Sequence, residues 1–451
     1  MYSGSLFAIS DGMTYAWTAP MIPYLISEKS HLKTTLHEAE WLETTVMAGA
    51  LCGLPTTIYF VDKIGRKKSI LLATFVQMMT WIAIGFGDKM IYLFVARFFA
   101  GMAGDMAFVA APMYVAEIAD QKIRGFLSGV IYLMMLMGCV IVYSVGPFLP
   151  YYVTPIIGVG VTVTELFIFA FMPESPYYLF YKNKPEMAKK SLQYFRPNIN
   201  IEKEIDEISS AITRQKTEKG RIQDLFLVNS NRKAVVIMTV LNGGQHFCAI
   251  SIILMNLHLI LEAAGSTYLD SSTAAIIFAV IMLAAATVAS FQIDKYGRKV
   301  LLITSSVLTG ICLLSIAIYF NLKNCDYNIL DVSWIPMVSV MIYAATFKIG
   351  LGIVPIVVTS EIFPARMKAM GMTMADAMYV GWSIFCLQIY QWLTASYGLH
   401  VPFYLFSVCS FSITIFTILF IPETKGKSLE EIQFLLKGEK SPDLNSRLPT
   451  A

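Results

Sequence analysis

Asp62-Lys63-Ile64-Gly65-Arg66-Lys67 and Asp294-Lys295-Tyr296-Gly297-Arg298-Lys299 are one hexapeptide motif written twice. Each copy sits between two apolar runs, 41–61 and 69–86 for the first, 270–293 and 300–320 for the second. An apolar run of about 20 residues crosses a bilayer as a helix. Each copy is therefore a tight, charged turn between two membrane helices. Glycine supplies the sharp backbone, while the carboxylate and guanidinium stand at the membrane edge, free to pair with helix ends or with each other. One copy alone is a generic basic loop; two at equivalent places imply a repeated architecture.

Outward from these turns the chain shows twelve apolar spans: 4–26, 41–61, 69–86, 91–116, 126–148 and 153–172, then 234–262, 270–293, 300–320, 333–360, 371–394 and 402–421. The hydrophilic stretch Pro173 to Lys233 separates the two sets of six. Other signatures recur with the turns. Glu117 with Arg124 follows span 4, and Glu361 with Arg366 follows span 10; Pro173-Glu174-Ser175-Pro176 closes span 6, and Pro422-Glu423-Thr424-Lys425-Gly426 closes span 12. The expected fold is an all-α polytopic membrane protein of twelve transmembrane helices in two pseudo-symmetric six-helix bundles. Its parts are 1–172, a linker 173–233, 234–421 and a tail 422–451, the layout of a transporter with a midplane site.

Composition excludes the rivals. Of 451 residues 56% are hydrophobic and 14% charged, where a soluble domain carries about 25% charged residues. The net charge of +3 and the lack of a basic stripe argue against a nucleic-acid partner. Seven cysteines form no CxxC pair, so neither a disulfide framework nor a zinc site is expected; the six outside position 325 read as small buried hydrophobes. No metal, cofactor or catalytic signature is present, and an enzyme is not expected. The first run lacks a basic leader and reads as span 1; because the chain starts almost there, an amino-terminal extension is expected to be missing from this form. Lys and Arg number 28 on the side holding both termini and 4 on the other, which places both termini in the cytoplasm. The linker reads as short amphipathic helices at 185–195 and 200–218, the second opened by Asn200.

The repeated motifs, with Arg97-Phe98-Phe99-Ala100-Gly101 and Pro112-Met113-Tyr114-Val115-Ala116-Glu117, resemble the sugar porter family of the major facilitator superfamily, and within it insect facilitated trehalose transporter-like members. The resemblance runs from span 2 to the tail. It implies the major facilitator fold, two bundles that rock in alternating access, and a cytoplasmic gate of motif charges. On this chain the gate residues are Asp62, Arg66, Glu117, Arg124 and Glu174 in the first half, and Asp294, Arg298, Glu361, Arg366 and Glu423 in the second. Ion pairs across the halves would hold one state and break in the other.

The sugar site departs from the family. Where relatives typically read Q-Q-L-S-G-I-N in span 7, this chain has Gln245-His246-Phe247-Cys248-Ala249-Ile250-Ser251, followed by Met255-Asn256. Tyr132 replaces a span 5 glutamine, Ile356 a tryptophan after Pro355, and Tyr379-Val380 an Asn-Trp pair in span 11. Trp382 lies near enough to replace a stacking surface, although a lone aromatic at helical spacing is more often packing. The candidate substrate residues are therefore Gln245, His246, Ser251, Asn256, Tyr132, Tyr379 and Trp382. Sugar hydroxyls need donors and acceptors, and these side chains supply both.

Charges inside spans are costly and usually functional. Asp11, Asp105, Lys348, Asp376, Arg97 and His246 qualify, and pairing or snorkelling is the favoured reading of each. Asp11 lies two residues from Met13, which takes the position of the family's proton-coupling aspartate. Gly101, Gly104, Gly350 and Gly352 allow close helix contact or bending near Pro355. The expectation is thus a plasma-membrane carrier of a sugar, such as trehalose, a hexose or a related polyol, by facilitated diffusion. A proton-coupled symporter and a non-transporting sensor are the alternatives. Its partners are the small-molecule sugar and the lipid bilayer.

Overall fold

A computed structural model describes residues 6–119, 124–195, 205, 208, 223–265, 268–327, 330–363, 367–425, 431–432 and 435–436. Each of the twelve spans is helical in it. Nine helices among the described residues are long and apolar enough to cross a membrane. In lipid every backbone polar group must find its partner inside the protein, and a helix does this within one segment.

The helices start and stop for local reasons. Span 2 (Leu36–Lys63) opens on a capping box, in which Glu38 N donates to Thr35 Oγ1 at 3.3 Å and Thr35 N donates to Glu38 Oε2 at 2.9 Å. It ends at the first hexapeptide, where Gly65 takes φ +100° and Arg66–Phe86 begins at once. The second hexapeptide repeats this: Gly297 at φ +88° precedes Arg298–Asn324. A side chain would strain both positions. Spans 4, 6, 8, 9 and 12 are the single helices Met90–Ile118, Val153–Ala170, Ser271–Tyr296, Arg298–Asn324 and His400–Phe420.

Two functional spans are broken. Span 7 is Asn229–Phe247 followed by Ile250–Ala264. Between the pieces Ala249 takes φ +68°, a left-handed conformation that costs an alanine about 1–2 kcal/mol, and Asn256 is again non-helical. Span 10 is Trp334–Ile349 and Val354–Ile362, with Pro355 in the first turn of the second piece. Gly350 and Gly352 thus fulfil the expected bend, and a Cβ on Gly350 would collide with the Leu301 carbonyl.

The chain divides into two compact units. The first holds 1–217 with 253–265 and 269–283; the second holds 218–252, 266–268 and 284–451. The second part of span 7 and much of span 8 therefore group with the first six spans. Within the first unit span 2 packs on span 4, span 4 on span 3, and span 1 on span 5. Its core is small and close, with Ala107, Ala110, Ala111 and Tyr114 against Ile70 and Phe169. In the second unit span 9 packs on spans 10 and 12, and the inner piece of span 7 on span 11. Bare apolar side chains such as Phe86, Phe167 and Phe420 need no protein partner, since lipid is as apolar as they are.

The linker helix Pro185–Phe195 forms as expected. It fastens to the first unit through Ser191 Oγ, which donates to the Glu174 carbonyl at 2.6 Å, and through Phe195 edge-on to Tyr114. The expected helix 200–218 lies outside the described residues except Ile205 and Ile208. One cysteine expectation is corrected: Cys52 is exposed and Cys409 only half-buried, whereas Cys139, Cys248, Cys312 and Cys386 are buried. Cys52 and its neighbour Leu51 lie exposed on span 2, on a surface that lipid can cover as well as protein can.

Candidate functional site

The repeated charges build the same cluster twice. In the first unit Arg66 pairs with Glu117 at 3.0 Å and reaches Asp62 at 4.0 Å. The other oxygen of Glu117 accepts from Ser175 Oγ. Glu174 Oε1 accepts from the backbone N–H of Lys67 at 3.0 Å and of Ser175 at 2.8 Å. Lys67 Nζ donates to the Ala170 carbonyl at 2.7 Å. In the second unit Arg298 pairs with Glu361 at 3.0 Å, and Thr424 Oγ1 donates to Glu361 at 2.5 Å. Glu423 accepts from the backbone N–H of Arg298 and of Lys299, each at 3.0 Å. Lys299 Nζ donates to the Ile418 carbonyl at 2.7 Å.

The glycine explains the glutamate. Residues at the first helical turn carry orphan N–H groups that a side chain normally caps. Gly65 and Gly297 have none to offer, and a distant carboxylate takes the role, adding a favourable charge at the positive helix end. Glu174 and Glu423 lie where a Cβ on Gly65 or Gly297 would stand, so glycine, cap and arginine form one unit of design. Each arginine pairs inside its own unit. The side chains of Arg124 and Asp294, and the whole of Arg366, lie outside the described residues.

The second unit gathers five of the seven candidate substrate residues around the break in span 7. Gln245 Nε2 donates to the Leu351 carbonyl at 2.6 Å, which ties span 7 to the break in span 10; its Oε1 is buried without a partner. Ser305 Oγ receives the Leu351 N–H at 3.0 Å, so the broken backbone of span 10 is satisfied by side chains. His246 Nδ1 stands 2.7 Å from Ser251 Oγ, which also accepts from Ser383 Oγ at 3.2 Å. The Tyr379 ring lies 4.2 Å from the His246 ring. Tyr343 OH donates to the Cys248 carbonyl released at the break, at 2.6 Å. Trp382 packs on Phe247 and over Gly243.

Asn256 and Tyr132 belong to the first unit. Asn256 Nδ2 donates to Glu43 Oε2 at 3.0 Å, and Tyr143 OH donates to the Leu254 carbonyl nearby. Glu43 and Glu165 are fully buried carboxylates that the sequence reading passed over. Both stand in otherwise apolar runs, and the signal was there: an acidic residue in span 2 and another in span 6. Arg97 is buried, its Nη1 donating to the Thr14 carbonyl and its Nε to the Leu42 carbonyl. Asp105 accepts from Thr57 Oγ1 at 2.7 Å, and Lys348 is buried beside Phe347. Pairing thus describes Asp105 and Arg97. Among the described residues no three His, Cys, Asp or Glu side chains come together for a metal ion.

Comparison with known proteins places this geometry. The family described as Sugar (and other) transporter matches residues 1–436. Facilitated trehalose transporter Tret1 of Bombyx mori is 27% identical over 436 residues, covering 96% of this chain and 86% of its own. Tret1 of Anopheles gambiae is 26% identical over 447 residues, and the chain spans 55% of its length. The inward open xylose transporter XylE from E. coli has the same fold, with a TM-score of 0.79 over 96% of this chain and 98% of that one at 20% identity.

Proposed function

The chain belongs to the sugar (and other) transporter family, and from that premise we propose that it carries a trehalose- or hexose-class sugar across a membrane by facilitated diffusion with alternating access. It is an integral membrane protein and not an enzyme; residence in the plasma membrane with both termini cytoplasmic is part of the same reading. The observation that carries it is the break in span 7. There the helix gives up regular backbone, and Gln245, His246, Ser251 and Tyr379 converge with donors and acceptors. Discontinuous helices at such sites bind substrate in secondary transporters.

In this reading Gln245 Oε1 accepts from a sugar hydroxyl while its amide holds span 10. His246 and Ser251 exchange a hydrogen bond whose direction follows the tautomer, so either partner can turn to a ligand. Tyr379 and Trp382 supply an aromatic face. From the first unit Asn256 and Tyr132 take part, Asn256 by leaving Glu43. The two Arg–Glu–Glu clusters are the cytoplasmic gate parts: Asp62, Arg66, Glu117, Arg124 and Glu174, with Asp294, Arg298, Glu361, Arg366 and Glu423. Each keeps its turn rigid so that the helices on both sides move as one body.

Counterflow of labelled trehalose and glucose in proteoliposomes tests the reading. Saturable counterflow of one sugar, unchanged by an imposed proton gradient, is expected. Folded, inserted protein that binds a sugar yet shows background flux would make it a sensor, and counterflow that follows the gradient would make it a symporter.

A further inference from the structure

A small cavity inside the first unit is lined from spans 1, 3, 4 and 6, with Asp11, Thr74, Gln77, Gly104, Thr162 and Glu165 on its wall. Its chemistry is one-sided. Gln77 Nε2 donates to Thr14 Oγ1, which fixes the amide so that Oε1, buried and without a partner, is the end left over. Glu165 is 1% exposed, and its Oε2 likewise has no partner. Thr74 and Thr162 spend their hydroxyl protons on their own helices, on the Ile70 carbonyl and the Gly158 carbonyl, both at 2.9 Å. Ser10, also on the wall, accepts from Trp81 Nε1 at 2.9 Å. Asp11 adds a carboxylate, set against Gly104, where a Cβ would collide with Oδ1.

The wall is thus rich in acceptors: two carboxyls and the unpartnered Gln77 oxygen face the cavity, and its other polar side chains are the hydroxyls of Ser10, Thr74 and Thr162. An anion needs several donors, and this wall offers hydroxyls alone beside two carboxyls; a cation needs only oxygens. The charges agree. Two carboxyl groups face the cavity, and among the described residues no lysine, arginine or histidine lines it. Arg97, on span 4, is turned to the carbonyls of Thr14 and Leu42; Asp105 on the same helix accepts from Thr57 of span 2. A buried carboxylate without a counter-charge is costly. With two carboxylates rather than three or more, the site is matched to a single charge.

We propose that the Asp11–Gln77–Glu165 cavity is a binding site for a small monovalent cation, sodium or a proton. The site is lined by residues of the first unit alone, none of them a candidate sugar residue, so it stands whatever sugar is carried. A bound cation fastens spans 1, 3 and 6 together and stiffens the unit; removing it loosens them.

The test reads binding through stability, independent of transport. The full chain is purified in detergent and its unfolding temperature followed while sodium replaces choline at constant ionic strength, and separately as pH is lowered from neutral by about two units. At tenfold above half-saturation, occupancy is expected to raise the midpoint by about 1–2 °C. Asp11→Asn and Glu165→Gln are expected to abolish the response to whichever cation acts. A sodium response identifies the metal ion, and a pH response lost in both variants identifies the proton. No response to either in the wild type overturns the proposal, as does a response kept in full by both variants. Should a carboxamide variant not fold, Gln77→Leu removes one acceptor and leaves both carboxyls; an unshifted sodium or pH midpoint in it would also overturn the proposal. Sugar counterflow is measured on the same samples, so failure of the cation site and failure of the carrier reading are seen separately.

Discussion

Gly297 and Glu423 are expected to behave as one element of stability, and a double-mutant cycle measures it. Gly297→Ala meets two penalties. The positive-φ extended backbone, which glycine alone adopts freely, costs a side chain about 1–2 kcal/mol, and the new Cβ would stand 2.7 Å from Glu423 Oε2, which pushes the carboxylate off the N–H groups of Arg298 and Lys299. Charge-assisted bonds are worth about 1.5–3 kcal/mol each when buried; with Glu423 half-exposed, about 1 each is appropriate, or about 2 for the cap. Glu423→Ala alone then costs about 2 kcal/mol and Gly297→Ala about 3–4. In the double variant the cap is already gone, so the total stays at about 3–4 rather than reaching 5–6. At the usual unfolding entropy per residue, 451 residues lose about 1 °C per kcal/mol, so thermal unfolding in detergent resolves the difference. Additive losses would refute the trans-cap.

The acid limb adds a sign. Burial pushes the Glu423 carboxyl up, but the N–H groups of Lys425, Arg298, Lys299 and Thr424 outweigh it and hold the carboxyl below its ordinary 4.5. A lowered carboxylate stabilises above its unfolded value and loses that contribution as pH falls through the folded one. The gap between wild type and Glu423→Ala is therefore expected to hold from neutral pH down to the ordinary carboxylate range and to close below it. A gap that widened in acid would contradict the assignment.

Arg298→Lys keeps the charge but loses the fork that grips Glu361, and transport is expected to fall several-fold with surface expression largely intact; unchanged flux in it and in Arg66→Lys would remove the gate role. Gln245→Ala releases the Leu351 carbonyl and an acceptor together, so it is expected to raise the apparent substrate constant in counterflow far more than Gln193→Ala on the linker helix. Ala249→Gly relieves the left-handed alanine and is expected to raise the unfolding temperature by about 1 °C with transport retained; a loss of stability would mean that the methyl group packs. Glu43→Ala leaves Asn256 without its acceptor in the protein interior, and a loss of about 2–3 kcal/mol is expected in the same unfolding assay.

What was legible in the sequence was whatever had a period or a copy. Twelve apolar runs and a hexapeptide written twice led to the helices; the sequence left the motif charges to pair with helix ends, with each other or across the halves, and which glutamate each arginine takes, Glu117 for Arg66 and Glu361 for Arg298, is read only from the structure. The caps were not legible, because Glu174 and Glu423 act on N–H groups more than a hundred residues away and no local pattern records such a bond. The break in span 7 was equally hidden: alanine is a strong helix former, and only tertiary contacts, Tyr343 on the freed Cys248 carbonyl among them, keep Ala249 at positive φ. Asn256 stands with Gln245 among the candidate substrate residues of span 7, and no sequence pattern records that the kinked backbone delivers it to Glu43.

The loops and the interiors of the two units diverge in a way that bears on mechanism. At the loops the units agree atom for atom in role: arginine to glutamate, glutamate to two helix N–H groups or their neighbours, lysine to the carbonyl of the helix that ends beside it. Inside the membrane they do not. The first unit buries Glu43, Arg97, Asp105 and Glu165, whereas the second buries His246 and Lys348 and concentrates neutral donors and acceptors at a helix break. Ionised groups are expensive at that depth, so they persist only where something offsets them. On the proposed reading, the gate is built of parts present in duplicate, most of the buried charges lie in the first unit, and the hydrogen-bonding groups offered to the sugar lie largely in the second. If the span 7 break is the sugar site, as proposed, substitutions there are expected to change the sugar while leaving the paired turns and the buried carboxylates of the first unit in place.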